Sequence, residues 1–229
     1  MKVTDKDVIY EDNHIIAINK KPGVLVQGDI TKDEPLVESV RDYIRIKYNK
    51  TGNVFCGLVH RLDRPVSGAV IFAKTSKALT RMNKLFTDKE IQKTYWAIVQ
   101  NRPPHEEETL NCYIIKNAEK NKSYVYNYEK KNSKQSSLTY RLMWGSKNYF
   151  MLEIDLHTGR HHQIRAQLSS IGCPFRGDLK YGYARSNKDG GIDLHSRSIE
   201  FIHPVKQEKI KIIAPPPEEN LWREITQSM

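Results

Sequence analysis

Two short segments of this 229-residue chain place charged side chains inside otherwise apolar stretches. One is His60-Arg61-Leu62-Asp63-Arg64, which lies between Val59 and the apolar run of residues 69–74. The other is Thr158-Gly159-Arg160-His161-His162-Gln163-Ile164-Arg165, where an alternating run gives way to helical spacing. Charge beside buried elements needs a partner, because an unpaired buried charge costs several kcal/mol. The simplest pairing joins an aspartate of the first segment to an arginine of the second. Such a pair is either a plain ion pair or the working carboxylate of an acid–base or nucleophilic site, and spacing alone leaves both open.

Other chemistries find little support. The eight histidines include no His-Glu-x-x-His, and the three cysteines no Cys-x-x-Cys. His161 and His162 are adjacent and on a helix would point about 100° apart, so no metal site is expected. Gly-x-Gly-x-x-Gly, Walker and Gly-x-Ser-x-Gly patterns are absent, which leaves no nucleotide cofactor and no nucleophile elbow to expect. Cys56, Cys112 and Cys173 are odd in number and carry no motif. They read as core residues of a protein from a reducing compartment, most simply the cytoplasm. The apolar runs fall far short of the ~20 residues of a membrane span, and the first residues lack a signal-peptide core.

Charge narrows the partner. Lys plus Arg number 37 against 27 Asp plus Glu, a formal charge of +10. A polyanion fits, nucleic acid before an anionic membrane surface, because no basic amphipathic stretch carries the exposed aromatics of an interfacial helix.

The elements that must hold the two segments can be read in outline. Apolar runs on either side of residues 11–13 predict a hairpin, ended at Pro22-Gly23. Leu36, Val37, Val40, Ile44 and Tyr48 have helical spacing. Residues 69–74 form a short buried-strand pattern. Thr75 or Ser76 then caps a helix with Leu79, Met82, Leu85 and Phe86 on one face. Residues 93–99 predict a strand, 101–110 a loop, and 112–115, 138–144 and 149–156 further strands. The lysine-rich stretch 116–134 reads as a solvated hairpin or an RNA-facing insertion. Helical spacing resumes over 161–171 and stops at Gly172. A last hairpin, 199–203 with 209–213, ends at Pro215-Pro216-Pro217. Together these elements predict an α+β protein with a largely antiparallel mixed sheet flanked by helices. Since no composition break marks a boundary, residues 1–229 are read as one domain, with a monomer expected.

HRLDRPVSG, residues 60–68, resembles the signature of the RluA-type pseudouridine synthases. Lys21-Pro22-Gly23 is similar to their Lys-Pro loop, Lys93-Thr94-Tyr95 to their tyrosine motif, and TGRHHQIRAQL (158–168) to their third motif. GCPFRGDLKYG (172–182) and LHSRSIEFIHP (194–204) match the segments that follow. The matches run in order from about residue 20 to residue 217. Val66 stands where Thr is common and Gln167 where His is common, which blurs the subfamily. Some twenty residues precede the Lys-Pro loop, too few for an S4 RNA-binding domain ahead of it. HRLDRP is also similar to the tRNA-modifying members.

The resemblance implies a pseudouridine synthase fold with a central basic cleft, and an isomerase that converts uridine in rRNA or tRNA to pseudouridine without cofactor or metal. Asp63 corresponds to the essential carboxylate, either attacking C1′ or taking the 2′ proton. Arg165 corresponds to its cationic partner. Tyr95 corresponds to the tyrosine under the uracil, where a phenol of ordinary pKa near ~10 is a weak base for the C5 proton. Leu156 would pack on the base. The target must leave its stack, at a cost of a few kcal/mol, with Arg61 filling the space and Arg160 holding phosphate. Two other readings use the same residues: a non-catalytic RNA-binding module, and a metal-free glycoside hydrolase, which would want a second carboxylate that the sequence does not offer.

Overall fold

The computed structural model describes residues 2–28 and 33–229, and among these residues the chain forms eleven strands and four α-helices. In chain order they are β1 (Val8–Glu11), β2 (Ile15–Lys20), α1 (Leu36–Lys47), β3 (Gly57–Leu58), β4 (Ser67–Ala73), α2 (Ser76–Thr87), β5 (Gln92–Val99), β6 (Glu107–Asn117), β7 (Lys122–Tyr126), β8 (Lys134–Gly145), β9 (Phe150–Leu156), α3 (Gln163–Ser170), β10 (Leu194–Ile202), β11 (Lys209–Ile213) and α4 (Asn220–Ser228). The described chain divides into two compact units, residues 1–91 with 196–216 and residues 92–195 with 217–229.

In the first unit the strands run in the order β1-β2-β4-β10, with β3 paired to β4 and β11 to β10. The hairpin of β1 and β2 turns at Asp12, whose Oδ1 accepts from the backbone N–H of His14 at 2.7 Å and of Ile15 at 2.9 Å. A short polar side chain that bonds its own backbone is what makes this turn. All seven residues of β4 are buried, as its unbroken apolar run requires. Thr75 caps α2, its hydroxyl accepting from Ala78 N at 3.1 Å. Met82 of α2 then joins Ile15, Ala17, Ala69, Ile71, Ile199 and Phe201 in the core.

Gly68 shows how tightly β4 meets β10. Its φ is +111°, and a Cβ built there would stand 2.4 Å from the Ser196 carbonyl oxygen. Both the backbone conformation and the space demand glycine. Gly68→Ala is expected to lower stability by about 3 kcal/mol or more, read by denaturant unfolding. A loss below about 1 kcal/mol would contradict this packing.

In the second unit the order is β5-β9-β8-β6-β7, each pair antiparallel. Residues 107–110, expected as loop, are the start of β6: Glu107 lies opposite Arg141 and Glu108 opposite Tyr140. Their polarity reflects an exposed face with cross-strand partners. The helix expected over 161–171 begins only at Gln163, because His162 holds a left-handed φ of 52°. The unpredicted α4 buries Trp222 and Ile225 against Ile98 and Met151. The three cysteines are free and buried.

Candidate active site

Asp63 sits in the link from β3 to β4, half-buried, in the first unit. The link is held mainly through its backbone. Val66 N donates to the Asp63 carbonyl at 3.0 Å, and Gly23 N to the Arg64 carbonyl at 2.8 Å. His60 accepts from Ile71 N through Nε2 at 3.1 Å and stacks on Phe86 at 5.1 Å.

The strongest hold comes from Lys20, at the end of β2 and fully buried. Its ammonium donates to the carbonyls of Lys21 at 3.0 Å, Val24 at 2.9 Å and Arg64 at 3.0 Å. Three carbonyls are what a buried ammonium needs in place of water. Burial nevertheless pushes Lys20 down to about 7, with the nearby charge of Asp63 opposing that fall. The Lys-Pro loop is therefore anchored by Lys20, whereas the Lys21 side chain is 70% exposed and reaches Asp7 at 3.6 Å. The motif resemblance takes in Lys21 as part of the Lys-Pro loop, and a lysine closing the buried run of β2 is the signal for Lys20.

Arg61 is exposed in the same link and donates to Gln27 Oε1 at 3.3 Å. Arg64 bonds the Gly23 carbonyl at 3.0 Å and pairs with Asp33 at 2.8 Å. Val66, the first departure from the family pattern, is buried.

Tyr95, Leu156, Arg160 and Arg165 belong to the second unit. Tyr95 lies opposite Ile154. Leu156 is two residues further along β9, so Tyr95 and Leu156 share one face of the sheet. Tyr95 is buried at 7% exposure and Leu156 half-buried. The turn after β9 is closed by Gln163, whose Oε1 accepts from the Thr158 hydroxyl at 2.8 Å and from Arg160 N at 2.9 Å. Arg160 itself is exposed and donates through Nε to the Gln135 carbonyl at 3.1 Å.

Arg165 is held on two sides. Nε and Nη2 donate to Asp178 Oδ2 and Oδ1 at 2.7 and 2.8 Å, a bidentate pair with 6% and 1% of the two side chains exposed. The guanidinium also lies 5.0 Å from the centre of the Tyr181 ring. Asp178 and Tyr181 were visible in sequence only as part of a matching segment with no role attached. An acid between Phe175 and Leu179 was the available signal.

Around them runs a buried polar chain. Tyr181 Oη accepts from Ser123 N at 2.8 Å and bonds His162 Nδ1 at 3.1 Å, and His161 and His162 stack at 3.8 Å. Burial first, and then the charges of Arg165, His161, Lys180 and Lys116, push His162 down to about 2. His162 is thus neutral in the folded protein, whereas in the unfolded chain it takes up a proton near 6.5. The unfolded state binds more protons below that pH, so stability falls as pH falls through the window from 6.5 toward 2. The expected loss between pH 6.5 and 4.5 is about 2 to 3 kcal/mol. His162→Asn, which tolerates the positive φ, should remove that part of the slope; an unchanged pH profile would refute the assignment.

Gln167, the second departure, donates to the Leu110 carbonyl at 2.9 Å and is buried. Among the described residues, no cluster of three or more His, Cys, Asp or Glu could hold a metal ion, and no helix is long and apolar enough to cross a membrane.

The fold is shared with two human proteins titled RNA pseudouridylate synthase domain containing 4 and 1. The first superposes with a TM-score of 0.81 over 95% of this chain and 91% of its own, at 19% identity. The second does so with a TM-score of 0.71 over 100% and 97%, at 18% identity. This is the α+β pseudouridine synthase fold. In sequence, residues 14–170 match the model of the RNA pseudouridylate synthase family, and the chain belongs to that family. It is similar to an uncharacterized RNA pseudouridine synthase of Synechocystis, 33% identical over 92% of this chain and 65% of that protein. It is also 31% identical to ribosomal large subunit pseudouridine synthase C of Vibrio cholerae, over 91% and 65%. The chain therefore spans about two-thirds, slightly less, of the length of these curated relatives.

Proposed function

We propose that this protein is an RNA pseudouridine synthase that isomerises uridines in structured RNA, using Asp63 as its carboxylate. The observation that carries the reading is the family match over residues 14–170, which takes in Asp63, Tyr95 and Arg165 together. The N1–C1′ bond of the target breaks, the uracil turns, and C5 bonds to C1′. The proton lost from C5 is balanced by one gained at N1, so nothing is oxidised and no group is added. Asp63 either attacks C1′ to give an ester-like intermediate or removes the 2′ proton to give a glycal. Arg165 supplies a cation to the reaction, and Tyr95 with Leu156 contacts the uracil. Arg61 stacks where the everted base has left, and Arg160 holds phosphate. Ribosomal RNA is the favoured substrate class, because several similar proteins carry a ribosomal large subunit name; transfer RNA is the alternative. The protein acts as a monomer in the cytoplasm.

The test is pseudouridine mapping of ribosomal and transfer RNA treated with the purified protein, beside RNA from cells with and without the gene. New pseudouridines that depend on the protein support the reading. Their absence from both RNA classes would overturn it and favour a non-catalytic RNA-binding module.

A further inference from the structure

β6 runs from an end rich in ion pairs to an end that, among the described residues, forms none. At its start Glu107 pairs with Arg141, which also reaches Glu153, and Arg102 pairs with Glu106 just before it. At its far end stands Lys116, followed by the turn to β7 and a stretch with six lysines against two glutamates over residues 116–134. Lys116 lies opposite Ser123 and points to the same face as Lys134, which lies opposite Ile114. Ser123 is the residue that ties this hairpin to the start of α3, bonding the His161 ring at 2.9 Å and the His161 carbonyl at 2.6 Å.

Further cations collect at the same place. Lys180 donates to the Asn121 carbonyl at 3.0 Å, and Asn121 Oδ1 bonds His161 Nε2 at 3.1 Å. Lys122 lies 5.0 Å from the Tyr181 ring. Arg160 reaches back to β8 at Gln135. Lys116, Lys120, Lys134, Lys180 and Arg160 are exposed. Among the described residues, none of these five, nor Lys122, has a carboxylate within ion-pairing distance. Six cations gathered beside one turn glutamate, Glu119, and without an ion pair among the described residues repel one another, a cost that a polyanion relieves.

We propose that Lys116, Lys120, Lys122, Lys134 and Lys180, with Arg160, form a phosphate-docking patch around the start of α3 that takes the sugar–phosphate backbone of RNA beside the target nucleotide. It rests on the proposed function for its substrate, but only on the second unit for its geometry. Lysine is suited to this work: a point charge on a flexible stem tracks a backbone without reading its sequence. The hairpin would thus set affinity and leave the choice of base to other groups.

The experiment uses the full chain and the triple variant Lys116→Ser/Lys122→Ser/Lys180→Ser. A control, Lys6→Ser/Lys77→Ser/Lys147→Ser, removes the same charge elsewhere. Binding of a 30-nucleotide oligouridine is measured against KCl concentration. Loss of three phosphate contacts should flatten the log–log salt slope by about 2 and weaken binding at least tenfold near 0.1 M KCl. The control should keep the wild-type slope. In parallel, KM for an RNA that the wild type modifies should rise while kcat stays within about twofold. Equal slopes for both triple variants, or an unchanged KM, would overturn the patch. A wild type that binds with the expected slope but forms no pseudouridine would sink the proposed function and leave the patch standing.

Discussion

Asp63→Asn is expected to form pseudouridine at least about 10³-fold more slowly than the wild type, while binding the same RNA within about threefold. The substitution keeps size and planar shape but removes the charge and the nucleophile. It should leave the link in place, because that link is held by main-chain bonds from Val66 and Gly23 and by the ammonium of Lys20. RNA affinity should not suffer, since deleting a negative charge does not weaken contact with a polyanion. Single-turnover conversion of a uridine-containing RNA, with affinity measured in parallel, is the check. Turnover within tenfold of wild type would remove Asp63 from the chemistry. Joint loss of binding and turnover would instead point to a disrupted link.

The second large effect concerns Arg165. Arg165→Ala leaves Asp178 charged and buried without its bidentate partner, a situation that costs about 3–5 kcal/mol. Activity should vanish and the thermal midpoint should drop together. That result alone would not separate catalysis from stability, so the double variant Arg165→Met/Asp178→Asn matters more. Removing both charges should restore much of the stability, because two neutral groups tolerate burial. Activity should stay absent, because the cation is gone. Recovery of activity with stability would show that Arg165 only fills the fold. Arg165→Lys should also fail, since a single ammonium cannot reproduce the bidentate bond to both carboxylate oxygens beside the Tyr181 ring.

How much of this could be read beforehand depended on whether a signal was local. The buried run of β4 and the Thr75 cap declare themselves over a few residues, and both stand as expected. The start of β6 was hidden because Glu107, Glu108 and Thr109 look like loop; their strand character comes from Arg141, Tyr140 and Thr139, some thirty residues away. The late start of α3 follows from one left-handed residue, His162, which helical spacing cannot detect. In the candidate site, the residue types of Asp63, Tyr95 and Arg165 were legible from the family motifs. The partners that fix them were not. Asp178 joins Arg165 across thirteen positions, and Lys20 reaches Arg64 across forty-four. Neither spacing belongs to a repeat, so only the folded chain brings them together. The chain passes between the two compact units after residues 91, 195 and 216, and the first of these passages shows no break in composition.

The clamp made by Lys20 also bears on which side chains its neighbourhood requires. Its three acceptors are main-chain oxygens, which every amino acid carries, so the grip is indifferent to the side chains at positions 21, 24 and 64. For this clamp, any side chain at positions 21, 24 and 64 would serve, whereas position 20 needs its ammonium. A single internal ammonium thereby holds the segment that carries Asp63 without calling on the side chains of its acceptors.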